Sequence, residues 1–329
     1  MANQCKEATK VEGMKRSEMK LLKAVAPFIH PEYLNFKTAP YEAWKRNGGQ
    51  VAKTHYPIRF LHGVAFRKEL PTLWKSKKEA RLRFVEPVSI SFDTFPDYAH
   101  YEIIPFVWDC WPCYFEKMCS WVEKHQVRTA IFTSSQTAER MQQRFTKMNI
   151  MYCPEAVDTS LYQEGELLNK RNIDVLEFGR SNKNVLKMEL PESVHRVCTK
   201  QNGKAFFSNE QLFEAMGNSK IAIALPRSVT EPKKAGDIET LTQRYWECML
   251  SRIVMVGHAP KELVELIGFN PVIELDRECP NEQVINILAH IEDYQGLVDK
   301  NRETALRMGD WTIRIKDVMR WLHQCDYNL

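Results

Sequence analysis

Short apolar runs of strand type alternate with amphipathic stretches along most of the 329-residue chain, and they do so in two blocks. This alternation is the tightest constraint on the fold. Strands that alternate with helices of about ten residues build parallel βαβ units. In the first block, residues 88–92 alternate in polarity and predict a strand, while 101–108 is more continuously apolar, as in a strand covered on both faces. Tyr114, Met118, Trp121 and Val122 then share one helical face. Residues 128–133 and 149–153 read as strands, with a helix over 136–145 between them that Ser134 and Ser135 can cap.

A polar, turn-rich segment over 154–171 separates the blocks. Beyond it, strands are expected at 173–178, 195–199, 220–225, 253–256 and 271–275, with helices at 209–216, 241–250 and 261–267. The tail is helical, and Trp311, Ile315, Val318, Met319 and Leu322 form one apolar stripe suited to a core. The expectation is an α/β protein of two Rossmann-like domains facing a cleft. A length of 329 residues suits two domains of about 150, and 44% hydrophobic against 27% charged residues excludes a disordered chain.

The charge balance, 46 Lys and Arg against 42 Asp and Glu, is too even to argue for a nucleic-acid partner. Nine cysteines at uneven spacings and a polar start over 1–10 predict reduced thiols in the cytoplasm. No apolar run approaches the ~18 residues of a membrane span.

In open parallel sheets, ligands bind at the carboxyl ends of strands, which directs attention to the loops after Phe178 and Leu225. The second of these is polar and leads into a helix expected to start near Leu241, where Thr240 and Gln243 have capping-box spacing. Free N–H groups at such a start attract phosphate oxygens. Arg227, Lys233, Lys234 and Arg244 add positive charge, and Glu247 lies on the same helix face as Arg244. A carboxylate there can accept two hydrogen bonds from adjacent ribose hydroxyls. Gly179 and Arg180 end an earlier strand of the same block. The glycine would let a phosphate approach the backbone, and Arg180 could pair with it. Together these residues describe a diphosphate site.

Glu239 and Glu247 stand in E-x7-E spacing, and Glu247 opens Glu-Cys-Met-Leu-Ser-Arg-Ile-Val-Met-Val. With Phe178-Gly-Arg, Pro226-Arg-Ser, Pro260-Lys-Glu-Leu, Asn270-Pro-Val-Ile-Glu-Leu-Asp and Pro154-Glu-Ala-Val-Asp in the expected order, this resembles the retaining GT-B glycosyltransferases of the group-1 or family-4 type. The resemblance covers about half the chain, mostly its second block. Arg252 and Val254 stand where that family often has Gly and Pro, and Ala156 where it commonly has Gly. The resemblance implies a GT-B fold with an acceptor domain over 1–158, a nucleotide-sugar domain over 172–305, and a final helix over 306–329 crossing back to the first. It further implies transfer of a hexose from a UDP-sugar to a hydroxyl of a glycolipid or polysaccharide, at the inner face of a bacterial cell membrane. Glu247 would hold the ribose and Glu239 the transferred sugar. Arg180, Arg227 and Arg244 would neutralise the leaving diphosphate, with backbone N–H groups over Thr240–Thr242. No D-x-D occurs, so no obligatory metal and no other cofactor are expected.

The first domain should supply the acceptor side. Asp109 reads either as a base or electrostatic stabiliser or as a helix N-cap; Trp108 and Trp111 read either as a sugar platform or as core. Cys110 and Cys113 form a single C-x2-C without a second pair at zinc spacing, and no histidine motif supports zinc chemistry. Arg67, Lys68, Lys75, Lys77, Lys78, Arg81 and Arg83 make the most basic stretch. It reads as a solvated helix face or as a helix on anionic lipid, which would suit a lipid-linked acceptor. Two rival functions stand beside the transferase reading. One is a nucleotide-sugar epimerase on the same fold, which needs a dense acid–base set; the other is a non-enzymatic binder using the basic stretch.

Overall fold

All strand pairings in the two principal sheets are parallel, as strands joined through helices require. The computed structural model describes residues 19–27, 36–52, 74–179, 189–201, 204–205 and 207–329. The first sheet takes β1 (Lys20–Val25), β2 (Val51–Ala52), β3 (Glu79–Val85), β4 (Glu102–Val107), β5 (Thr129–Phe132) and β6 (Asn149–Tyr152). The second takes β7 (Ile173–Glu177) and β8 (Arg196–Cys198), while β9 (Lys200–Gln201) and β10 (Lys204–Ala205) form a small antiparallel pair. β11 (Ser219–Ala224), β12 (Val254–Gly257) and β13 (Val272–Glu274) complete the second sheet. The last residues, β14 (Tyr327–Asn328), return to the first. The orders are β14-β1-β3-β4-β5-β6, with β2 also on β1, and β13-β12-β11-β7-β8.

Helices cover both faces of the first sheet, which is why every residue of β4 is buried. On one face, Leu22, Phe84, Phe106 and Trp108 pack with Trp44 of the helix Thr38–Arg46 and with Trp311, Ile315, Val318 and Leu322 of the helix Trp311–Gln324. On the other, Ile103 and Val107 meet Met118, Trp121 and Val122 of the helix Pro112–His125. The chain crosses between domains twice, and the crossings are bonded together: the Val157 N–H donates to the Gly309 carbonyl (2.9 Å) and the Trp311 N–H to the Val157 carbonyl (3.1 Å).

β14 fixes the chain's end to the first sheet. The Tyr327 hydroxyl donates to Glu102 Oε1 at 2.8 Å and lies 3.0 Å from Thr129 Oγ1. Glu102 is buried and also holds Lys20 and Arg128. Tyr327→Phe removes a hydrogen bond to a buried carboxylate. Urea unfolding should show a loss of about 1–2 kcal/mol; no loss would mean that β14 adds nothing to the sheet.

Two local expectations fail here. Residues 88–92 do not form a strand; a short helix, Ile90–Thr94, stands there. The Ser89 hydroxyl donates to Asp93 (2.7 Å) and the Thr94 hydroxyl to the Ile90 carbonyl (2.6 Å), local bonds that compete with a ladder. The basic stretch is not a helix in its described part. Residues 67–73 lie outside the described residues, and 79–83 belong to β3, a central strand. Arg81 bonds Glu79 (2.9 Å) and lies 3.8 Å over the Tyr101 ring, and Arg83 sits 3.4 Å from Asp97. These buried, paired guanidinium groups are not available to a lipid surface. Among the described residues, no helix is long and apolar enough to cross a membrane.

Candidate functional site

At the carboxyl end of the second sheet, β7 leads through Phe178 into Gly179, whose φ is +73°. A Cβ at Gly179 would lie 2.2 Å from Arg244 Nη2. The bare backbone therefore admits the Arg244 guanidinium, where the sequence suggested that a phosphate would approach it directly. Arg244 comes from the first turn of the helix Gln243–Leu250 and is 9% exposed. Its guanidinium lies 5.4 Å over the Phe178 ring, and its Nη1 has no hydrogen-bond partner. Three residues on, half-buried Glu247 accepts a hydrogen bond from the Tyr162 hydroxyl at 2.9 Å. Burial raises the Glu247 carboxyl above its ordinary pKa, against the opposing pull of Tyr162 and Arg244. A buried guanidinium with a free N–H beside a carboxylate offers a donor to an anion and an acceptor to a diol.

The helix itself begins at Gln243, two residues later than expected, and the Thr240–Gln243 capping box does not form. Thr242 is the N-cap residue but its side chain makes no capping bond. Remote side chains take these donors instead. The Gln243 N–H donates to Glu155 Oε2 (3.2 Å), the Leu241 N–H to Glu262 Oε2 (2.9 Å) and the Glu239 N–H to Gln136 Oε1 (2.8 Å). Of the backbone donors around this helix start, those of Leu241 and Gln243 are thus already engaged within the protein. Glu262 also accepts from the Ser135 N–H (2.6 Å) and hydroxyl (2.7 Å), so one carboxylate ties the second domain to the first. Burial raises the pKa of Glu262, and these hydrogen bonds offset it only in part. Thr240 is buried and faces a depression shared with Asp109, Trp111, Ser134, Glu155 and Ile238.

Asp109 has a left-handed backbone (φ +51°) and does not cap the helix Pro112–His125, whose N-cap is Trp111. Its carboxylate lies 3.4 Å from Arg227 across the cleft. Arg227 also lies 3.2 Å from Glu231 and 4.8 Å over the Trp111 ring. Trp108 and Trp111 are only 1% and 2% exposed, so neither presents an open platform to a sugar. Trp108 stacks on Phe106, and Trp111 packs with Ala235 and Ile238. Burial pushes the Cys110 thiol up, out of the range of a thiolate nucleophile.

Glu239 stands in the loop before the helix. Its Oε1 lies 3.4 Å from the Ser228 hydroxyl and its Oε2 3.3 Å from His258 Nε2. The other ring nitrogen of His258 faces Glu274, at 3.0 and 3.1 Å from its two oxygens. The sequence reading missed His258, although it directly follows Gly257 at the carboxyl end of β12, where the strand-end rule applies. Glu155 and Glu262 stand inside the quoted segments Pro154-Glu-Ala-Val-Asp and Pro260-Lys-Glu-Leu but carried no assigned role, and no local spacing marks Tyr162. Arg180 lies outside the described residues. Of the other proposed site residues, Gly179 comes together with Arg244 and Glu247, and Asp109 with Arg227, while Glu239 meets Ser228 and His258, neither of them assigned a role from the sequence.

No protein-family model and no curated protein matches the sequence. Solved structures match the fold. HepE of Anabaena, in a complex with UDP and glucose, superposes with a TM-score of 0.56 at 12% identity, covering 93% of this chain and 100% of that one. The α,α-trehalose 6-phosphate synthase of Burkholderia multivorans gives 0.54 at 8% identity over 93% and 97%. AviGT4, a glycosyltransferase of avilamycin A biosynthesis, gives 0.51 at 11% identity over 94% and 98%. The chain has the GT-B fold: two parallel-sheet α/β domains whose strand ends meet at a cleft.

Proposed function

We propose that this chain is a glycosyltransferase that moves a hexose from a nucleotide sugar, a UDP-sugar, to an acceptor hydroxyl. One observation carries the reading. Arg244 is a buried guanidinium with an unpaired nitrogen, set beside Glu247 at the carboxyl end of the second sheet. A buried guanidinium N–H without a hydrogen-bond acceptor costs stability, and a ligand anion drawn to the site would supply one. HepE, of the same fold, is described in complexes with UDP and with UDP-glucose.

In this reading Arg244, joined by Arg180 and Arg227, stabilises the negative charge that develops on the leaving diphosphate. Glu247 holds the ribose. Glu239 faces the transferred sugar, whose ring gains oxocarbenium character as the bond to phosphate breaks. Asp109, ion-paired with Arg227, is the acceptor-side carboxylate. The acceptor is a lipid-linked or saccharide hydroxyl, the anomeric configuration is retained, and the chain works from the cytoplasmic side. No metal and no other cofactor are required.

Thermal unfolding against UDP, GDP and dTDP tests the donor site. A nucleotide at 100 times its dissociation constant should stabilise the protein by about 2.7 kcal/mol, with UDP giving the largest effect. Slow hydrolysis of one UDP-sugar in a panel should then name the hexose, since water can replace the acceptor. No shift with any nucleotide would rule out the reading.

A further inference from the structure

We infer that His258 is a positioning residue for Glu239: braced from behind by Glu274, its ring holds one oxygen of the Glu239 carboxylate and leaves the other to the transferred sugar. The inference rests on the reading of Glu239 as the sugar-facing carboxylate. Geometry supports it first. Both ring nitrogens lie within 3.3 Å of carboxylate oxygens, Nε2 toward Glu239 and Nδ1 toward Glu274. An ionised carboxylate only accepts hydrogen bonds, and only the imidazolium carries two N–H donors. The arrangement is therefore self-consistent with a charged ring between two charged carboxylates.

Three elements hold the ring. Its own backbone continues β12, and the His258 carbonyl accepts a hydrogen bond from the Tyr245 hydroxyl at 2.7 Å. Glu274 ends β13, the neighbouring strand, and Glu239 lies in the loop before the helix Gln243–Leu250. Among the described residues, Glu239 and Glu274 are the charged groups that act on the His258 ring. Burial alone would disfavour the charged ring, but the hydrogen bond to Glu274 and the charges of Glu239 and Glu274 outweigh it and raise its pKa.

The chemical consequence concerns orientation and charge. The His258 bond pins Oε2 of Glu239, so Oε1, shared only with the Ser228 hydroxyl at 3.4 Å, is the oxygen left to accept from a sugar hydroxyl. The imidazolium also holds the Glu239 carboxylate in place beside a sugar ring that becomes cationic. Loss of the proton removes the second donor and frees Glu239 to turn. Activity should therefore fall as pH rises through the raised value, the direction expected for a group that works in its protonated form. Glu274 is 59% exposed, so its ion pair contributes little to folding and its variants should fold.

The test has two arms on the full chain. In the first, histidine 13Cε1 NMR follows the His258 signal, assigned by its loss in His258→Gln. It should titrate above the ~6.5 of an unperturbed imidazole and move to lower pH in both Glu274→Gln and Glu239→Gln. A midpoint at or below the ordinary value, or no movement in Glu239→Gln, overturns the inference. In the second arm, His258→Gln should lower kcat for donor hydrolysis about 10- to 100-fold, the loss of one charge-assisted hydrogen bond, with KM little changed. Glu274→Gln should shift the alkaline limb of kcat to lower pH, which a merely structural contact would not do. An unmoved limb overturns the inference. If no donor is hydrolysed at all, the transferase reading fails, while the NMR arm still decides whether His258 couples to Glu239.

Discussion

Glu247→Ala should weaken UDP binding about 100-fold, as read by titration calorimetry. The magnitude follows from what the carboxylate is proposed to hold. Hydrogen bonds to a charged group contribute about 1.5–3 kcal/mol, and two ribose hydroxyls that lose a shared acceptor give a net loss of about 3 kcal/mol. Tyr162→Phe is the control. It removes the protein's own donor to Glu247 (2.9 Å) but leaves the carboxylate, so affinity should change less than about tenfold. An unchanged dissociation constant in Glu247→Ala would remove the ribose assignment. The pH dependence has a definite sign. Burial raises the Glu247 carboxyl in the folded protein, so its contribution to stability is complete below the ordinary carboxyl value and is lost as pH rises through the raised one. Glu247→Gln should therefore stabilise the free protein at neutral pH while impairing UDP binding.

The second large effect falls on stability. Glu262→Ala should cost about 3 kcal/mol in urea unfolding, because it strips the acceptor from two backbone N–H groups, Ser135 and Leu241, and from the Ser135 hydroxyl. Ser135 opens a helix of the first domain and Leu241 precedes a helix of the second, so both helix starts lose a partner at once. Glu262→Gln retains one oxygen but turns an NH2 toward a donor, and should recover only part of the loss. The loss should be accompanied by faster proteolysis around the cleft, where Arg140 and Asp237 also join the two domains through an ion pair at 2.9 Å. A variant as stable as the parent would show that the domains are held by other contacts.

What could be read in advance follows the range of the forces involved. Periodicity and caps act within a few residues. Ser134 capping the helix Ser135–Arg144, the nearly continuous apolar run of β4 and the helix Lys261–Ile267 were all legible for that reason. So was the shared face of Arg244 and Glu247, three apart on one helix. β3 was misread because its cations suggested a solvated helix. Arg81 pairs with Glu79 two residues earlier in the strand, but its other partner, the Tyr101 ring, and the Arg83 partner Asp97 lie beyond the strand, so most of the pairing that permits burial is not visible in the strand itself. Thr240 and Gln243 had the spacing of a capping box, but a tighter solution existed in the folded chain: Glu155 and Glu262, distant in sequence, took the donors.

The sequence by itself determined the two-block alternation, and with it two parallel sheets whose strand ends must meet at a cleft, because hydrophobic period and chain connectivity are local properties. Only the tertiary structure decided which groups occupy that cleft: Arg244 against Gly179, Arg227 against Asp109, and His258 between Glu239 and Glu274. Such pairings join residues from separate elements. Hydrogen bonds and ion pairs select partners by distance in space, which the order of residues along the chain does not encode.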